Sequence, residues 1–315
     1  NEQETASTIA ELAEQKIYAI RQGREINGLR HIKSVIKDVY DQLDELAANP
    51  GKLPGIPTGF ADLDNALGGL NKSDLILIAA RPGMGKTSFA LNLVLSAAQK
   101  SGKDVAIFQL EMSDMQLTTR MISSEALVDS RKLRMGTLDD NDWDKIAHAS
   151  ALLSKTNIYI EDSSAITVSE IKAKCRRMGN RLGLVVIDYL QLMQGSKSSE
   201  NRVQQISEIS RSMKVMAREL NVPVVCLSQL SRGPEQRPNK RPMLSDLRES
   251  GAIEQDADIV IFLYRDDYYN PDTEKKNVVE CIIAKNRHGE VCTIELQWLG
   301  QYTRFSGQDN THHES

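Results

Sequence analysis

The stretch from Asp74 to Ser88, DLILIAARPGMGKTS, restricts what this chain can fold into more than any other. Leu75 to Ala80 is a continuous apolar run, the pattern of a parallel strand buried on both faces. It breaks at Arg81-Pro82-Gly83-Met84-Gly85-Lys86-Thr87-Ser88 and gives way to helical spacing through Phe89, Ala90, Leu91, Leu93 and Val94. Strand, glycine-bearing turn, Gly-Lys-Thr and helix make a phosphate-binding loop. Gly83 and Gly85 let backbone N–H groups curl around phosphate oxygens, and the following helix turns its positive end to the same anion. In this arrangement Lys86 reaches the β- and γ-phosphates, and Thr87 offers a hydroxyl to Mg²⁺. The usual first glycine is Ala80 here, one methyl away from the strict pattern. The stretch predicts a nucleoside triphosphate site.

A chain of 315 residues, 40% of them hydrophobic, can build one large or two modest domains around a buried core. No apolar run reaches the length of a membrane span, and no signal peptide is visible. The chain opens on Asn1 rather than Met, so a fragment of a longer protein is expected. Cys175, Cys226, Cys281 and Cys292 lack CxxC spacing, and two of them sit in apolar strand patterns. Buried thiols and a cytoplasmic location are expected, not a disulfide framework or a zinc site. The net charge of −4 leans against a polycation, so any nucleic-acid contact must be local.

Residues 1–22 carry Ile9, Leu12, Ala13, Ile17 and Ile20 at helical spacing, an amphipathic helix closed by a polar linker to Gly28. A second helical pattern follows at Ile32, Val35, Ile36, Val39, Leu43 and Leu46. The second is expected to pack on the chain's own core, whereas the first lacks an obvious home and is a candidate for docking on a neighbouring subunit. From Leu75 onward strand-like and helical runs alternate, with strands expected near 104–110, 157–161, 183–189, 222–228 and 257–264. That alternation predicts an α/β fold, a mostly parallel twisted sheet flanked by helices. Asn277 to Lys285 and Val291 to Trp298 read as a closing β-hairpin, and the polar tail from Gln308 as frayed.

Several strand ends carry chemistry. Leu184-Val185-Val186-Ile187-Asp188 ends in a carboxylate, and in an open parallel sheet it emerges on the ligand edge. Asp188 there holds Mg²⁺ beside Thr87; otherwise it is a solvated strand end. Glu111 closes the next strand, where a carboxylate polarises an attacking water or merely opens a helix. Gln229 closes a third, placed to sense a γ-phosphate. Lys285 and Arg287 stand two apart at the hairpin tip, so their side chains share a face. They suit a phosphate held by another subunit, or they are a solvated basic turn.

ARPGMGKTS, FQLEMS, VVIDYLQLM, VVCLSQLSR, DLRESGAIEQDAD and AKNRHG occur in that order, and together they resemble the motor domain of the DnaB family of replicative helicases. The match runs from Leu53 to Phe305, and this family's loop also has alanine at the Ala80 position. The resemblance implies a RecA-like P-loop ATPase core over residues 29–307, a linker helix and hinge over 1–28 and a tail over 308–315. It implies ATP and Mg²⁺ as cofactors, with Arg81 to Ser88 cradling the nucleotide and Thr87 and Asp188 at the metal. Glu111 matches the catalytic base, Arg120 a nucleotide-pocket arginine, and Gln229 the γ-phosphate sensor. Lys285 and Arg287 match the pair supplied in trans, so the active form is expected to be a homo-hexamer. Arg248, Glu249 and Gly251 match a loop that grips single-stranded DNA, and the loops 195–202 and 231–241 resemble channel-facing loops. A 5′ to 3′ helicase is implied, with primase and a helicase loader as partners and no membrane. The rivals are a RecA or RadA-type recombinase and a regulatory DNA-dependent ATPase.

Overall fold

In a computed structural model of the chain, residues 29–163, 165–193 and 202–307 are described, with 11, 13–15 and 17 before them and backbone alone at 202 and 248–252. Most of the expected helix and hinge over residues 1–28, the channel-facing loop before residue 202 and the tail over 308–315 lie outside the described residues. Contacts divide the chain into Asn1–Lys52 and Leu53–Ser315, a later boundary than the one expected at residue 28.

In the leading unit, helix α1 (Ile32–Ala48) starts where the His31 side chain accepts the Lys33 N–H, and it buries no residue. Ile32, Ile36, Val39 and Leu43 are 64, 47, 48 and 55% exposed, so nothing described within the leading unit covers this stripe. The hydrophobic periodicity reported an apolar face; it could not report what covers that face.

The second unit is built on nine strands: β1 (Leu75–Ala80), β2 (Asp104–Gln109), β3 (Ile158–Glu161), β4 (Leu182–Asp188), β5 (Val224–Gln229), β6 (Ile259–Tyr264), β7 (Val278–Asn286), β8 (Cys292–Leu299) and β9 (Arg304–Gly307). They form one sheet in the order β3-β2-β4-β5-β1-β6-β7-β8-β9. The strands from β3 to β6 in that order are parallel, and β7, β8 and β9 close the sheet as an antiparallel meander. The strand β9 has no counterpart in the sequence reading; four residues ending in Ser-Gly are too short to show a period.

Helices cover both faces: α2 (Ala61–Leu67), α3 (Lys86–Ser101), α4 (Asp114–Ala126), α5 (Ser130–Met135), α6 (Asp140–Leu153), α7 (Val168–Met178), α8 (Arg202–Leu220), α9 (Gly251–Asp256) and α10 (Asp266–Tyr269). Capping boxes start three of them, at Ser113 and Gln116, Asp139 and Asp142, and Thr167 and Glu170. Alternation along β1 divides the core. Ile76, Ile78 and Ala80 join Phe89, Leu93 and Val94 of α3 on one face. Leu75, Leu77 and Ala79 join Ile206, Ile209 and Met213 of α8 on the other. All six residues of β1 are buried, as a run without polar interruption requires.

Cys175, Cys226 and Cys281 are buried and Cys292 is exposed, with no disulfide. Burial pushes the Cys175 and Cys281 thiols up to about 12 and raises Cys226 as well. The native chain is therefore expected to take up a small alkylating reagent at Cys292 alone at pH 8, and at all four cysteines in denaturant. Mass spectrometry of the labelled chain checks this; rapid native labelling of Cys226 would contradict the packing described.

Candidate nucleotide site

The parallel register brings the expected strand ends together. Ala80 pairs with Gln229 and Leu263, and Gln109 pairs with Asp188, so β1, β2, β4, β5 and β6 all end at one edge. The phosphate loop leaves β1 there. Gly83 and Gly85 have φ of +83° and +88°, the left-handed region that side chains rarely adopt. A Cβ on Gly83 would come within 2.8 Å of the Tyr268 ring, and one on Gly85 within 2.9 Å of Phe305. Both conformation and packing therefore demand glycine. Ala80 is buried with its methyl in the core, so the departure from the strict motif costs the loop nothing.

Thr87 Oγ1 donates to Asp188 Oδ2 at 2.7 Å, and Lys86 Nζ lies 3.8 Å from Asp188 Oδ1 and over the Tyr189 ring. With its amide nitrogen turned toward Asp188, Gln109 donates to Oδ2 at 3.2 Å and accepts the Met112 N–H. Asp188 Oδ1 is buried and has no hydrogen-bond partner. A buried carboxylate oxygen that accepts no hydrogen bond, with a threonine hydroxyl beside it and Lys86 its nearest cation, fits a bound cation. Burial lowers the Lys86 pKa even though Asp188 and Glu111 both pull it upward. A phosphate anion would restore the balance.

Glu111 is exposed just past the end of β2. Arg120, on α4, is half-buried; burial lowers its pKa while Asp188 and Glu111 oppose that shift, which puts all three in one electrostatic neighbourhood. Gln229 exposes its side chain at the edge, and its backbone N–H and C=O both engage the Gln191 amide. Pro82 is exposed, Ser88 buried and Arg81 half-buried, tied to Glu235 at 2.7 Å.

Lys285 and Arg287 are elsewhere. Strand β7 runs against β6, so its carboxyl end and the hairpin tip lie at the edge where β1 begins. Arg287 donates from its backbone to the Asp258 carbonyl at 3.0 Å and from Nη1 to Asp258 Oδ1 at 3.2 Å. Asp258 in turn exchanges backbone and side-chain hydrogen bonds with Leu75, the first residue of β1. Lys285 Nζ donates to the carbonyls of Glu254, Gln255 and Ala257, capping the last turn of α9. The six residues of β1 separate this cluster from the phosphate loop of the same chain, about 20 Å of strand. No arginine side chain spans that.

A flat pair that the sequence reading missed stands beside the loop. Strand β8 runs parallel to β6, so Trp298 near its end returns to the phosphate edge. Its ring packs on Phe305, and Arg265 lies 5.7 Å above its centroid. The Trp298 ring also comes within 3.5 Å of a Cβ placed on Gly85. Such a stack can hold a planar base. No local pattern announces it, because three strand pairings are needed to bring these residues to the loop.

The backbone of Arg248 and Glu249 ends a 3-10 segment, Leu244–Ser250, and Gly251 opens α9; their side chains lie outside the described residues. The loop 231–241, which resembles a channel-facing loop, carries cations with partners inside the chain. Arg237 is paired with Asp246, Arg241 with Glu280, and Lys240 donates to the Glu235 carbonyl, so three of its cations serve the fold. The acidic partners of Arg237 and Arg241 lie outside residues 231–241, where a local charge count does not find them. Among the described residues no cluster of His, Cys, Asp and Glu forms a further metal site, and no helix is long and apolar enough to cross a membrane.

Comparison with known proteins agrees with this geometry. Residues 55–307 match the family described as DnaB-like helicase C terminal domain. The chain is 49% identical over 296 residues to the replicative DNA helicase DnaB of Geobacillus stearothermophilus, covering 93% of this chain and 65% of that protein. It is 50% identical to the replicative DNA helicase DnaC of Bacillus subtilis, with the same shares covered. It therefore spans just under two thirds of the length of these curated relatives. Among solved structures, one isolated ATPase domain superposes with a TM-score of 0.85 at 42% identity, covering 89% of this chain and 99% of that one. A DnaB-like replicative helicase whose structure was described with its interactions with primase gives 0.81 at 40% identity, covering 94% and 71%.

Replacing Lys86 with alanine removes the cation nearest the expected phosphates while leaving the loop glycines and the core untouched. ATP turnover is expected to fall about 10²- to 10³-fold or more with an unchanged circular dichroism spectrum. Turnover near wild type would remove the phosphate-loop assignment.

Proposed function

The chain belongs to the DnaB-like helicase C-terminal domain family, and on that premise we propose that it is the ATP-hydrolysing motor of a replicative DNA helicase. It works as a homo-hexameric ring that translocates 5′ to 3′ on single-stranded DNA and opens duplex at the fork. One observation carries the reading: the phosphate loop and the Arg287 hairpin sit at opposite ends of β1, so each chain holds half of the site.

In this proposal Gly83 to Ser88 wrap the triphosphate, Lys86 neutralises its β- and γ-oxygens, and the Arg265–Trp298 stack receives the base. Thr87 and Asp188 hold Mg²⁺, which the orphaned Asp188 Oδ1 supports; when bound, the ion offsets charge on the phosphates. Glu111 polarises the attacking water, Arg120 steadies Glu111 and Asp188, and Gln229 registers the γ-phosphate. A neighbouring copy brings Arg287, released from Asp258, together with Lys285, to the charge that develops in the transition state. The exposed stripe of α1 is proposed to dock on a neighbouring copy, a role the sequence reading had given to residues 1–28. Arg248, Glu249 and Gly251 grip DNA phosphates. The partners are single-stranded DNA, primase and a helicase loader, and the place of work is the cytoplasm.

Unwinding of a forked duplex separates this reading from its rivals, since a recombinase gives strand exchange and a regulatory ATPase hydrolyses ATP without opening the fork. Arg287→Ala by itself is expected to lose turnover about 10³- to 10⁵-fold, the usual worth of an arginine finger. Titrated into wild type, the same variant is expected to depress activity more than in proportion to its share. Simple additivity of the two proteins would contradict a role in trans.

A further inference from the structure

A loop between the nucleotide site and the proposed DNA segment is left without a role by the scheme above. It begins at Leu230, directly after Gln229, and runs to Asp246. A single 3-10 turn, Gly233–Gln236, stiffens it, with Pro234 buried and backbone bonds from Glu235 N–H to Arg232 and from Arg237 N–H to Pro234. One end of this turn faces the phosphate loop. Arg81 Nε donates to Glu235 Oε1 at 2.9 Å, its Nη2 lies 2.7 Å from the same oxygen, and its Nη1 donates to the Leu230 carbonyl at 2.9 Å. The other end faces the DNA segment. Arg237 forks onto both oxygens of Asp246 at 2.9 and 2.7 Å. Asp246 is buried, accepts the Met243 N–H at 2.8 Å, and stands in the same 3-10 segment as Arg248 and Glu249.

Two ion pairs, Arg81–Glu235 and Arg237–Asp246, thus stand at the two ends of one short hydrogen-bonded 3-10 turn and link the phosphate loop to the segment that carries Arg248. Arg81 immediately precedes the glycine turn, so a change in how that turn holds phosphate moves the Arg81 fork. Asp246 is buried and Arg237 only partly so; separating the pair would strand the Asp246 charge away from water. Displacement at one end is then carried to the other. Resting on the motor reading, we propose that Glu235 and Asp246 are positioning residues that transmit the nucleotide state of the phosphate loop to the DNA-holding segment.

The test is the affinity of the intact chain for an oligo-dT strand, read by fluorescence anisotropy with a non-hydrolysable ATP analogue and again with ADP. Wild type is expected to differ between the two nucleotides by about 5- to 150-fold. Glu235→Gln keeps the shape and takes away the charge at a side chain that is 38% exposed, so the fold should survive it. It is expected to bring the ratio of the two affinities close to unity while basal ATP turnover stays at the wild-type value. Asp246→Asn is expected to do the same, and the double variant to lose no more than either single one, because the two act in series. A wild-type ratio in Glu235→Gln overturns the proposal. So does an equal loss of affinity with both nucleotides, which would mark a purely structural or DNA-contacting role. If Asp246→Asn does not fold, the Glu235→Gln ratio decides alone. Absence of any nucleotide-dependent DNA binding in wild type would overturn the motor reading instead.

Discussion

Everything in the second unit depends on the direction of one strand. Six parallel strands deliver their carboxyl ends to a single edge, and β7, by turning back, delivers its own to the opposite edge. Hydrogen-bond register with β6 leaves no freedom in this: Asn286 pairs with Ile259 at the start of that strand, as Leu263 pairs with Ala80 at its end. Chemistry that needs both a phosphate nest and the hairpin cations therefore cannot be completed within one copy. In the proposed ring this separation makes hydrolysis a property of an interface, and movement of one subunit becomes conditional on the state of the next.

Asp258 gives the separation a second consequence. It is buried and binds Leu75, Lys214 and Arg287 together, so the hairpin arginine is held in place by the strand that also carries the phosphate loop. Lys285, one strand step away, caps α9 on the far side of the segment proposed to hold DNA. The hairpin is thus tied to Asp258, which holds the first residue of β1, and to the end of α9 within the same chain. With the Arg81–Glu235 and Arg237–Asp246 pairs, it gives that segment polar ties at both of its ends.

The sequence made the phosphate edge legible because strand, turn and helix are contiguous there. Apolar runs ending in Glu111, Asp188 and Gln229 could be placed beside Lys86 on the rule that parallel strands end together. The β7–β8 hairpin was readable too, but not the sense in which β7 runs against β6, which only the pairing of the two strands settles. What escaped were contacts between distant segments. The Arg265–Trp298 stack reaches the phosphate loop only after three strand pairings, and the cations of 231–241 found Asp246 and Glu280 outside their own loop. Helix α1 shows a different limit: an amphipathic pattern announces an apolar face and says nothing of its cover.

The central claim is that a lone protomer lacks half of its own active site, and the turnover number per protomer, measured across a dilution series of the wild-type chain, tests it most directly. If the hairpin acts in trans, turnover per protomer rises steeply with protein concentration and levels off where assemblies are complete. A turnover number that stays constant down to concentrations at which light scattering shows only monomers would contradict it.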